Sequence, residues 1–359
     1  MMTMEIMEER KLDVLEGLDF NQYKKKSDLA KIIERQDVKT VLQPIISLID
    51  GRIIGYEALS RIVGNYAIQN PDELFSIAVR ENQIWELEQL CRSKALQKVF
   101  QESEETFEKL LFLNVSPKVV HDEKFREGFT KDYLSRYQIN PSQIVFELTE
   151  RDSTSDIDGF KSVVEHYKYQ NYEIAIDDLG SCYSGLNLMC ELQPHYVKID
   201  MNLIRDIHKD RSRYALVKSL MEFSNLTNIK IIAEGIETAE EMETLIQMGI
   251  QYGQGYFIAR PADNTVELRE ELLDFIKAAN IKKHSSYNQD VNTFYIKHIC
   301  TNGLTISESM VVEKVLQYFE EKTSIPGVCI TDDLKVKGIL TREKLQKILS
   351  GRYGFSLNQ

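Results

Sequence analysis

Cysteine and histidine are sparse in this chain of 359 residues, and neither is arranged as a disulfide framework or a zinc site would require. The five cysteines are odd in number, and no two are spaced as Cys-x-x-Cys. Such usage is typical of reduced thiols in a cytoplasmic protein. The six histidines are scattered, without an HxH or HExxH group, which argues against a zinc site.

Long apolar runs and an excess of positive charge are also missing. No charge-free stretch reaches the length of about 18 residues that a membrane span needs. The first residues lack the basic start and apolar core of a secretory signal. A net charge of −12 argues against binding to nucleic-acid phosphate backbones. We therefore expect a cytoplasmic protein without a membrane or nucleic-acid polymer as partner, in which something other than net charge attracts any anionic substrate.

The chain does contain a repeated alternation of short apolar runs with longer helix-like stretches. Eight strand candidates follow in order: TVLQPIIS, IIGYEALS, LLFLNVS, QIVFELTE, YEIAIDD, HYVKID, IKIIAEGI and QGYFIA. Strands of this length separated by helices are typical of βαβ units and a parallel sheet. Eight of them over about 225 residues favour an α/β fold of the closed (β/α)8 barrel type over an open sheet.

Most of these strand candidates end in a polar or charged residue. The residues are Glu57, Asn114, Glu147, Asp177 with Asp178, Lys198 and Glu234. A solvated strand end explains any one of them taken singly. However, the C-terminal ends of all barrel strands meet at one face, where active sites lie. We therefore expect the whole set to form one site.

The expected site is rich in hard oxygen donors. Carboxylates that converge in a cleft repel each other unless cations or protons lie between them. Oxygen ligands without His or Cys favour Mg²⁺ or Mn²⁺, and a pair of such ions is a common device for in-line attack on a phosphodiester. Lys198, the one cation of the set, would then hold the attacking hydroxide or a phosphate oxygen. The ions would also attract a phosphate to an acidic protein.

The chain resembles the EAL domains, bacterial phosphodiesterases that linearise cyclic di-GMP, over about residues 38–275. The motifs that carry the resemblance are LQPIISLIDGRIIGYEALSR, LNVSP, FELTE, IDDLG, VKID, AEGIET and GQGYFIARP, in family order and spacing. The resemblance implies a TIM-like (β/α)8 barrel, two Mg²⁺ or Mn²⁺ ions per active site, and a homodimer through the barrel. It further implies hydrolysis of cyclic di-GMP to linear pGpG by in-line attack of a metal-activated water.

Position by position, the resemblance implies a role for each matching residue. The first metal would be bound by Glu57, Asn114, Glu147 and Asp177, and the second by Asp177, Asp178 and Glu234. Lys198 would contact the water between the metals, which makes it a catalytic candidate together with Glu57, Glu234 and Glu237. Gln43 and Arg61 match positions that contact substrate, and Gln254 matches a position beside both metals and substrate. Glu150 matches a glutamate that anchors the loop after the aspartate pair.

That loop departs from the EAL pattern. The family usually reads DDFGxGYSSL, whereas this chain reads DDLGSCYSGL, with Leu179, Cys182 and Gly185 at the altered positions. In the family the loop couples metal binding to dimerisation. A second interpretation therefore stays open, a receptor that binds cyclic di-GMP with little or no catalysis. A third is a barrel that acts on another phosphodiester, against which Gln43 and Arg61 argue.

The sequence predicts four segments. They are an N-terminal helical extension over 1–37, the barrel over 38–278, a polar linker over 279–292 and a small α+β segment over 293–359. The last segment is expected to contain an amphipathic helix over Met310–Glu321, two short strands around Asp332–Asp333 and a closing helix.

The order of these C-terminal elements resembles one CBS-type half-module. Such units normally pair, so the segment is a second candidate for a dimer contact, unless the chain is part of a longer protein. Gly338 and Thr341 fit the family's adenosine-nucleotide pattern, but Lys344 stands where an acid is usual. A structural or dimerising role is therefore favoured over nucleotide binding.

Overall fold

The computed structural model of the chain describes most of its residues in two compact units. The described residues are 22, 24–101, 109–124, 129–136, 139–153, 157–180, 185–290, 305–321, 327–332 and 335–349. The first unit comprises Met1–His284 and the second Ser285–Gln359. Cys182 lies outside the described residues. In the part that is described, no helix is both long and apolar enough to cross a membrane.

Eight strands of the first unit close into a barrel, as the sequence predicts. They are β1 (Val38–Ser47), β2 (Ile53–Ile62), β3 (Leu110–Asn114), β4 (Ile144–Thr149), β5 (Glu173–Leu179), β6 (Tyr196–Ile199), β7 (Lys230–Ala233) and β8 (Tyr252–Gly253). Neighbouring strands from β2 to β8 pair in parallel. The C-terminal ends of these seven strands therefore lie at one end of the barrel.

The prediction of a parallel sheet is wrong for β1, which runs antiparallel to both β2 and β8. The physical reason is the connection. Residues 48–52 join β1 to β2 as a short turn, whereas a parallel pair needs a crossover of a dozen or more residues. The two strands therefore form a hairpin, in which Gln43 lies opposite Glu57.

Helices cover the outside of the barrel. The longer ones are α1 (24–35), α2 (Pro71–Arg80), α3 (Ile84–Gln101), α4 (Phe129–Arg136), α6 (Ile157–Tyr169), α7 (Gly185–Leu192), α9 (Arg211–Thr227), α10 (Ala239–Met248) and α11 (Glu270–Asp290). Two single-turn helices, α5 (Glu150–Ser153) and α8 (Met201–Ile204), follow β4 and β6 directly, and 3₁₀ turns occupy Pro117–His121 and Pro141–Gln143.

Local sequence fixes where the helices begin and end, as α10 illustrates. Thr238 accepts a hydrogen bond from the N–H of Glu241, whose carboxylate accepts from the N–H of Thr238 in return. This capping box satisfies two of the otherwise unpaired N–H groups of the first turn. Gly249 ends the helix in the left-handed region at φ 92°. Met242, Leu245 and Ile246 then face the barrel and are buried.

The apolar core has two layers. The larger layer lies between the strands and the helices, and includes Phe146, Leu148, Phe160 and Leu245. The smaller layer fills the barrel interior, where the buried side chains are Ile45, Phe112, Val145, Ala175, Tyr196 and Ile232. A filled interior leaves the strand ends as the place for chemistry.

The N-terminal helix α1 packs onto the first unit. Its side chains Leu29 and Ile32 are fully buried in a cluster with residues of α2 and α3, among them Leu74, Ile77 and Leu87. At the other end of the unit, α11 continues through Asp290, so most of the range expected to be a linker is helical.

The second unit is a three-stranded sheet with two helices. Its elements are β9 (Thr305–Ser307), α12 (Val312–Glu321), β10 (Gly327–Asp332), β11 (Lys335–Thr341) and α13 (Arg342–Leu349). β10 lies in the centre, parallel to β9 and antiparallel to β11. This element order agrees with the order that the sequence predicts. The resemblance to a CBS-type half-module stays a prediction.

Candidate metal centre

The polar strand-end residues converge at one end of the barrel. The set comprises Glu57 on β2, Asn114 on β3, Glu147 on β4, Asp177 and Asp178 on β5, Lys198 on β6 and Glu234 directly after β7. Gln43 on β1 and Gln254 directly after β8 complete the ring. Four of the carboxylates meet around a single ammonium group.

That ammonium is Lys198 Nζ, whose side chain is fully buried. It lies 2.7 Å from Glu234 Oε1, 2.8 Å from Glu147 Oε1, 3.3 Å from Asp177 Oδ1 and 3.5 Å from Glu57 Oε2. Burial alone would lower the pKa of Lys198, but the surrounding carboxylates outweigh it and raise that pKa well above its usual range. Lys198 is therefore a permanent cation at the centre of the site.

One ammonium does not neutralise four carboxylates, and burial together with the neighbouring charges shifts the pKa values of three of them. Burial raises the pKa of Glu147 well above its usual value against the attraction of Lys198, and burial with repulsion from Asp177 does the same for Glu234. At Glu57 burial also raises the pKa, but Lys198 and hydrogen bonds from Gln254 and Asn114 outweigh it, so the pKa is lowered. Further positive charge would relieve this repulsion.

Three buried oxygen atoms of the site lack a hydrogen-bond partner among the described residues and fit such a charge. Two belong to Glu147, whose Oε1 lies near Lys198 without hydrogen-bond geometry. The third is Gln254 Oε1. Unpaired buried acceptors are costly unless an ion or water satisfies them. Because every donor here is an oxygen, the residues fit hard divalent cations such as Mg²⁺ or Mn²⁺.

Asp177 and Asp178 reach the same site because β5 is irregular at this point. In a regular strand consecutive side chains point to opposite faces. Here both aspartates lie opposite the single residue Lys198, between the pairs Ile176–Val197 and Leu179–Ile199. Asp178 adopts φ 56°, in the left-handed region. This bulge turns both carboxylates inward, as bulges beside active sites do.

Asp177, Asp178 and Glu234 form the tightest acidic group. One oxygen of each lies within 4.8 Å of the others. Burial, followed by repulsion from Asp177 and Asp200, raises the pKa of Asp178 to about 6. The trio can hold one cation, with Glu57, Asn114 and Glu147 across Lys198 available for a second.

Hydrogen bonds on the β1 side hold Glu57 in place. Gln254 Nε2 donates to Glu57 Oε2 at 2.6 Å and to Gln43 Oε1 at 3.0 Å, and Gln43 Nε2 donates to the carbonyl of Ala259 at 3.0 Å. Asn114 Nδ2 donates to Glu57 Oε1 at 3.1 Å, which leaves Asn114 Oδ1 as its ligand atom. Gln43 and Gln254 are buried and orient Glu57. Their contact with substrate stays a prediction.

Glu150, whose role as anchor of the loop stays a prediction, holds the backbone directly after β5. This fully buried carboxylate accepts a hydrogen bond from Gly180 N at 3.0 Å. Gly180 has φ 99°, which a side chain would resist. A Cβ atom added at Gly185 would lie 2.4 Å from Leu179 Cδ1 and 3.2 Å from Glu150 Oε1. Glycine at position 185 therefore leaves room for the leucine at position 179.

Glu237 is placed differently from the other expected site residues. Its carboxylate lies 2.7 Å from Arg205 Nη1 and is partly exposed. Its backbone N–H donates to Glu241 Oε2. The contacts of Lys198 within the described residues are with four other carboxylates, so a role of Glu237 at the centre stays a prediction.

A cleft with a volume of about 870 Å³ opens from the metal centre towards α2. Arg61 lines it, together with three cations that the sequence reasoning missed, Arg80, Lys118 and Arg151. Arg151 follows Glu150 in the FELTE motif, and Lys118 follows the LNVSP motif. Their positions directly after these motifs were the feature from which the sequence could have identified Lys118 and Arg151.

Comparison with known proteins agrees with this geometry. The family model described as "EAL domain" matches residues 26–261. The chain is 30% identical over 240 residues to the Escherichia coli K12 protein "Probable cyclic di-GMP phosphodiesterase PdeB", covering 65% of this chain and 44% of PdeB. It covers between 34% and 54% of the length of the first three curated relatives.

Solved structures share the barrel. A standalone EAL protein from Vibrio cholerae O395, crystallised with c-di-GMP, is 33% identical, with a TM-score of 0.58 over 66% of this chain and 97% of that chain. BlrP1 of Klebsiella pneumoniae, in a manganese/cy-diGMP complex, is 29% identical, with a TM-score of 0.57 over 63% of this chain and 56% of that chain. BlrP1 is also known as a calcium/cy-diGMP complex. Both relatives bind the dinucleotide, and BlrP1 also binds divalent metals.

Proposed function

Since the chain belongs to the EAL domain family, we propose that it is a two-metal phosphodiesterase that hydrolyses cyclic di-GMP to linear pGpG. The observation that carries the proposal is the convergence of six oxygen-bearing side chains at one end of the barrel, four of them around one buried ammonium group. The six are Glu57, Asn114, Glu147, Asp177, Asp178 and Glu234. This arrangement is poorly neutralised by Lys198 alone and suits divalent cations.

We assign the ligands as the family resemblance implies. Glu57, Asn114, Glu147 and Asp177 would hold one ion of Mg²⁺ or Mn²⁺, and Asp177, Asp178 and Glu234 would hold the other. When bound, such ions polarise the scissile phosphodiester and make water nucleophilic at neutral pH. The close approach of one oxygen from each of Asp177, Asp178 and Glu234, within 4.8 Å, supports the second set.

The remaining residues orient the proposed metal ligands and contact the water or the phosphate. Lys198 donates hydrogen bonds to the attacking water or to a phosphate oxygen, because its buried ammonium cannot leave the centre. Gln254 and Gln43 keep Glu57 oriented through the 2.6 Å and 3.0 Å hydrogen bonds. Arg61 contributes a bidentate fork for phosphate. Glu237, paired with Arg205 at 2.7 Å, supports the segment that follows Glu234.

The direct test is turnover. Purified protein is incubated with cyclic di-GMP and Mg²⁺ or Mn²⁺, and pGpG is followed by chromatography. We expect turnover that disappears in Glu57→Ala and with a chelator. A matched control is Glu222→Gln, which removes an exposed carboxylate from α9 and should leave turnover unchanged. Tight binding with no product in either metal would refute the enzyme.

A receptor for cyclic di-GMP is the second candidate, and the altered loop favours it. Leu179 and Gly185 depart together from the family pattern. Their packing is coupled, because a Cβ atom added at Gly185 would lie 2.4 Å from Leu179 Cδ1. Binding of cyclic di-GMP in Ca²⁺ without hydrolysis in Mn²⁺ would identify a receptor. Size-exclusion chromatography with light scattering tests the proposed homodimer in the same preparations.

A further inference from the structure

The cleft beside the metal centre carries a charge opposite to that of the whole protein. Apart from the proposed metal ligands, its lining holds five cationic side chains. Arg92 pairs with Glu88 at 2.9 Å, and the other charged residues among the described lining, again apart from those ligands, are Arg61, Arg80, Lys118, Arg151 and the acid Asp72. The net charge of the protein is −12. A local excess of positive charge in such a protein points to an anionic ligand group.

Three of these cations follow a regular spacing. Arg61, Lys118 and Arg151 each lie four positions after a proposed metal ligand, respectively Glu57, Asn114 and Glu147. Their ligands are on β2, β3 and β4, which are neighbours in the barrel. All three side chains line the cleft that opens from these ligands. We call Arg61, Lys118 and Arg151 the cationic tier.

The three residues of the cationic tier lie in different types of secondary structure. Arg61 continues β2 and is half-buried, with Nη1 donating to the carbonyl of Ser60 at 2.9 Å. Lys118 lies in the 3₁₀ turn after β3, and Arg151 lies in α5 directly after β4. The positive charge of Arg151 also acts on the Asp178 carboxyl, which agrees with its position above the metal centre.

A cyclic dinucleotide contains two phosphodiesters, and only one can occupy the metal centre at a time. We propose that Lys118 and Arg151, with Arg61 beside them, bind the second phosphate, the one that is not cleaved. The inference rests on the proposed function and adds a specificity determinant to it. The tier distinguishes a ligand with two phosphates from one with a single phosphate, because only the former reaches both the metal centre and the tier.

The experiment removes charge from the tier without changing side-chain length greatly. Lys118→Gln, Arg151→Gln and the double variant are compared with wild type for binding of cyclic di-GMP in Ca²⁺, by calorimetry. Both side chains are exposed, so the fold is expected to tolerate the changes. The matched control is Arg52→Gln, an exposed arginine before the start of β2, at the opposite end of the barrel.

We expect the double variant to bind cyclic di-GMP at least about tenfold more weakly, which is the effect of losing one good charge-assisted contact. Its ratio of kcat/KM for cyclic di-GMP to kcat/KM for bis(p-nitrophenyl) phosphate, which has a single phosphate, should fall by a similar factor. Added salt should weaken wild type more than the double variant, since screening acts on exposed charges. Arg52→Gln should match wild type in each measurement.

Two results would overturn the inference, and they differ in what they say of the proposed function. If wild type binds cyclic di-GMP and the double variant binds it within about twofold as tightly, the tier is a solvated rim and the proposed function stands. If wild type binds no cyclic di-GMP in any metal, both are wrong. Binding that depends on the tier without hydrolysis supports the inference and assigns the protein as a receptor.

Discussion

Asp178 shows how much local conformation the metal centre requires. The left-handed φ of 56° costs about 1 kcal/mol or more for a residue with a side chain. The conformation places two like charges side by side, which adds repulsion. A cation shared by the two carboxylates would offset both costs. The residue is therefore a source of instability in the metal-free protein and of affinity in the metal-bound one.

A pH dependence follows from Asp178. Its pKa of about 6 lies above the ordinary value of 3.8, so the folded metal-free protein binds a proton there more tightly than the unfolded chain does. Stability in chelator should then fall as the pH rises from about 4 to 6. Asp178→Asn should raise the Tm of the metal-free protein at pH 8, and the gain should shrink towards pH 5.

Thermal unfolding in chelator across that pH range measures the effect. Asp274→Asn, on the exposed side of α11, is the matched control and should show no such trend. A gain in Asp178→Asn that is as large at pH 5 as at pH 8 would contradict the assignment. With Mn²⁺ present, Asp178→Asn should have a lower Tm than the wild type, because the substitution removes a proposed ligand.

Leu179 and Gly185 should behave as one unit. Gly185→Ala adds a Cβ atom 2.4 Å from Leu179 Cδ1, and overpacking of this kind costs about 1–3 kcal/mol. In the background of Leu179→Ala, which removes that atom, the same glycine substitution should cost far less. Urea unfolding of the four proteins in a double-mutant cycle gives the coupling free energy. Additive effects would show that the two positions are independent.

Sequence reasoning predicted which residues would converge at the candidate site, but not all of the backbone geometry that brings them together. Every strand-end residue from Glu57 to Glu234 was identifiable because polar residues end apolar runs. The family resemblance implied Asp178 as a ligand, but the bulge that turns it inward was hidden, because regular alternation places it on the face opposite Asp177. The pairing of Glu237 with Arg205 was also hidden, since a contact between distant positions leaves no local pattern.

At the scale of elements, a buried ion pair ties α3 to the strands of the site. Glu88 and Arg92 are 1% and 3% exposed, and Glu88 Oε1 accepts a hydrogen bond from Ser116 N at 2.7 Å. Arg92 stacks over the ring of Phe146 at 5.2 Å. The pair thus contacts β4 beside Glu147 and the chain two residues after Asn114.

Removing one partner of this pair should be costly. Arg92→Met removes the buried guanidinium that neutralises Glu88, and breaking a buried ion pair in this way typically costs about 3–5 kcal/mol. Glu88→Gln/Arg92→Met should be less destabilised than the single variant, because no charge remains and the glutamine still accepts from Ser116. Denaturant unfolding checks the order of the three proteins. A double variant that is less stable than Arg92→Met would show that the cost comes from packing alone.

At the scale of elements, the strand pattern predicted the wrong direction for β1. An apolar run has the same composition in either direction, so periodicity identifies a strand without orienting it. The short turn over 48–52 was the informative feature, since it has no room for a crossover. The order of elements in the C-terminal unit was easier to predict, because its hairpin and helices are formed by residues that are close in sequence.

For the whole molecule, divalent cations should control stability as well as chemistry. A ligand that binds only the folded state stabilises it by about 2.7 kcal/mol at a hundred times its Kd. We expect Mn²⁺ to raise the Tm by several degrees over chelator, and Asp177→Asn to abolish most of that rise. Ca²⁺ should also raise the Tm but inhibit turnover, because its looser coordination does not suit Mg²⁺ chemistry. Faster turnover in Ca²⁺ would contradict the mechanism.

The junction of β1 with β8 has a consequence for how the protein is made. β1 pairs with β2 through nine residue pairs, but with β8 through two, Ile46–Gly253 and Ser47–Tyr252. Contacts between such distant parts of a chain form late in folding. During synthesis, a chain that has emerged only as far as Glu234 carries the carboxylates and Lys198 but cannot close the ring. We therefore expect the nascent protein to bind the proposed divalent cations only after Gln254 has reached Gln43 and completed the barrel.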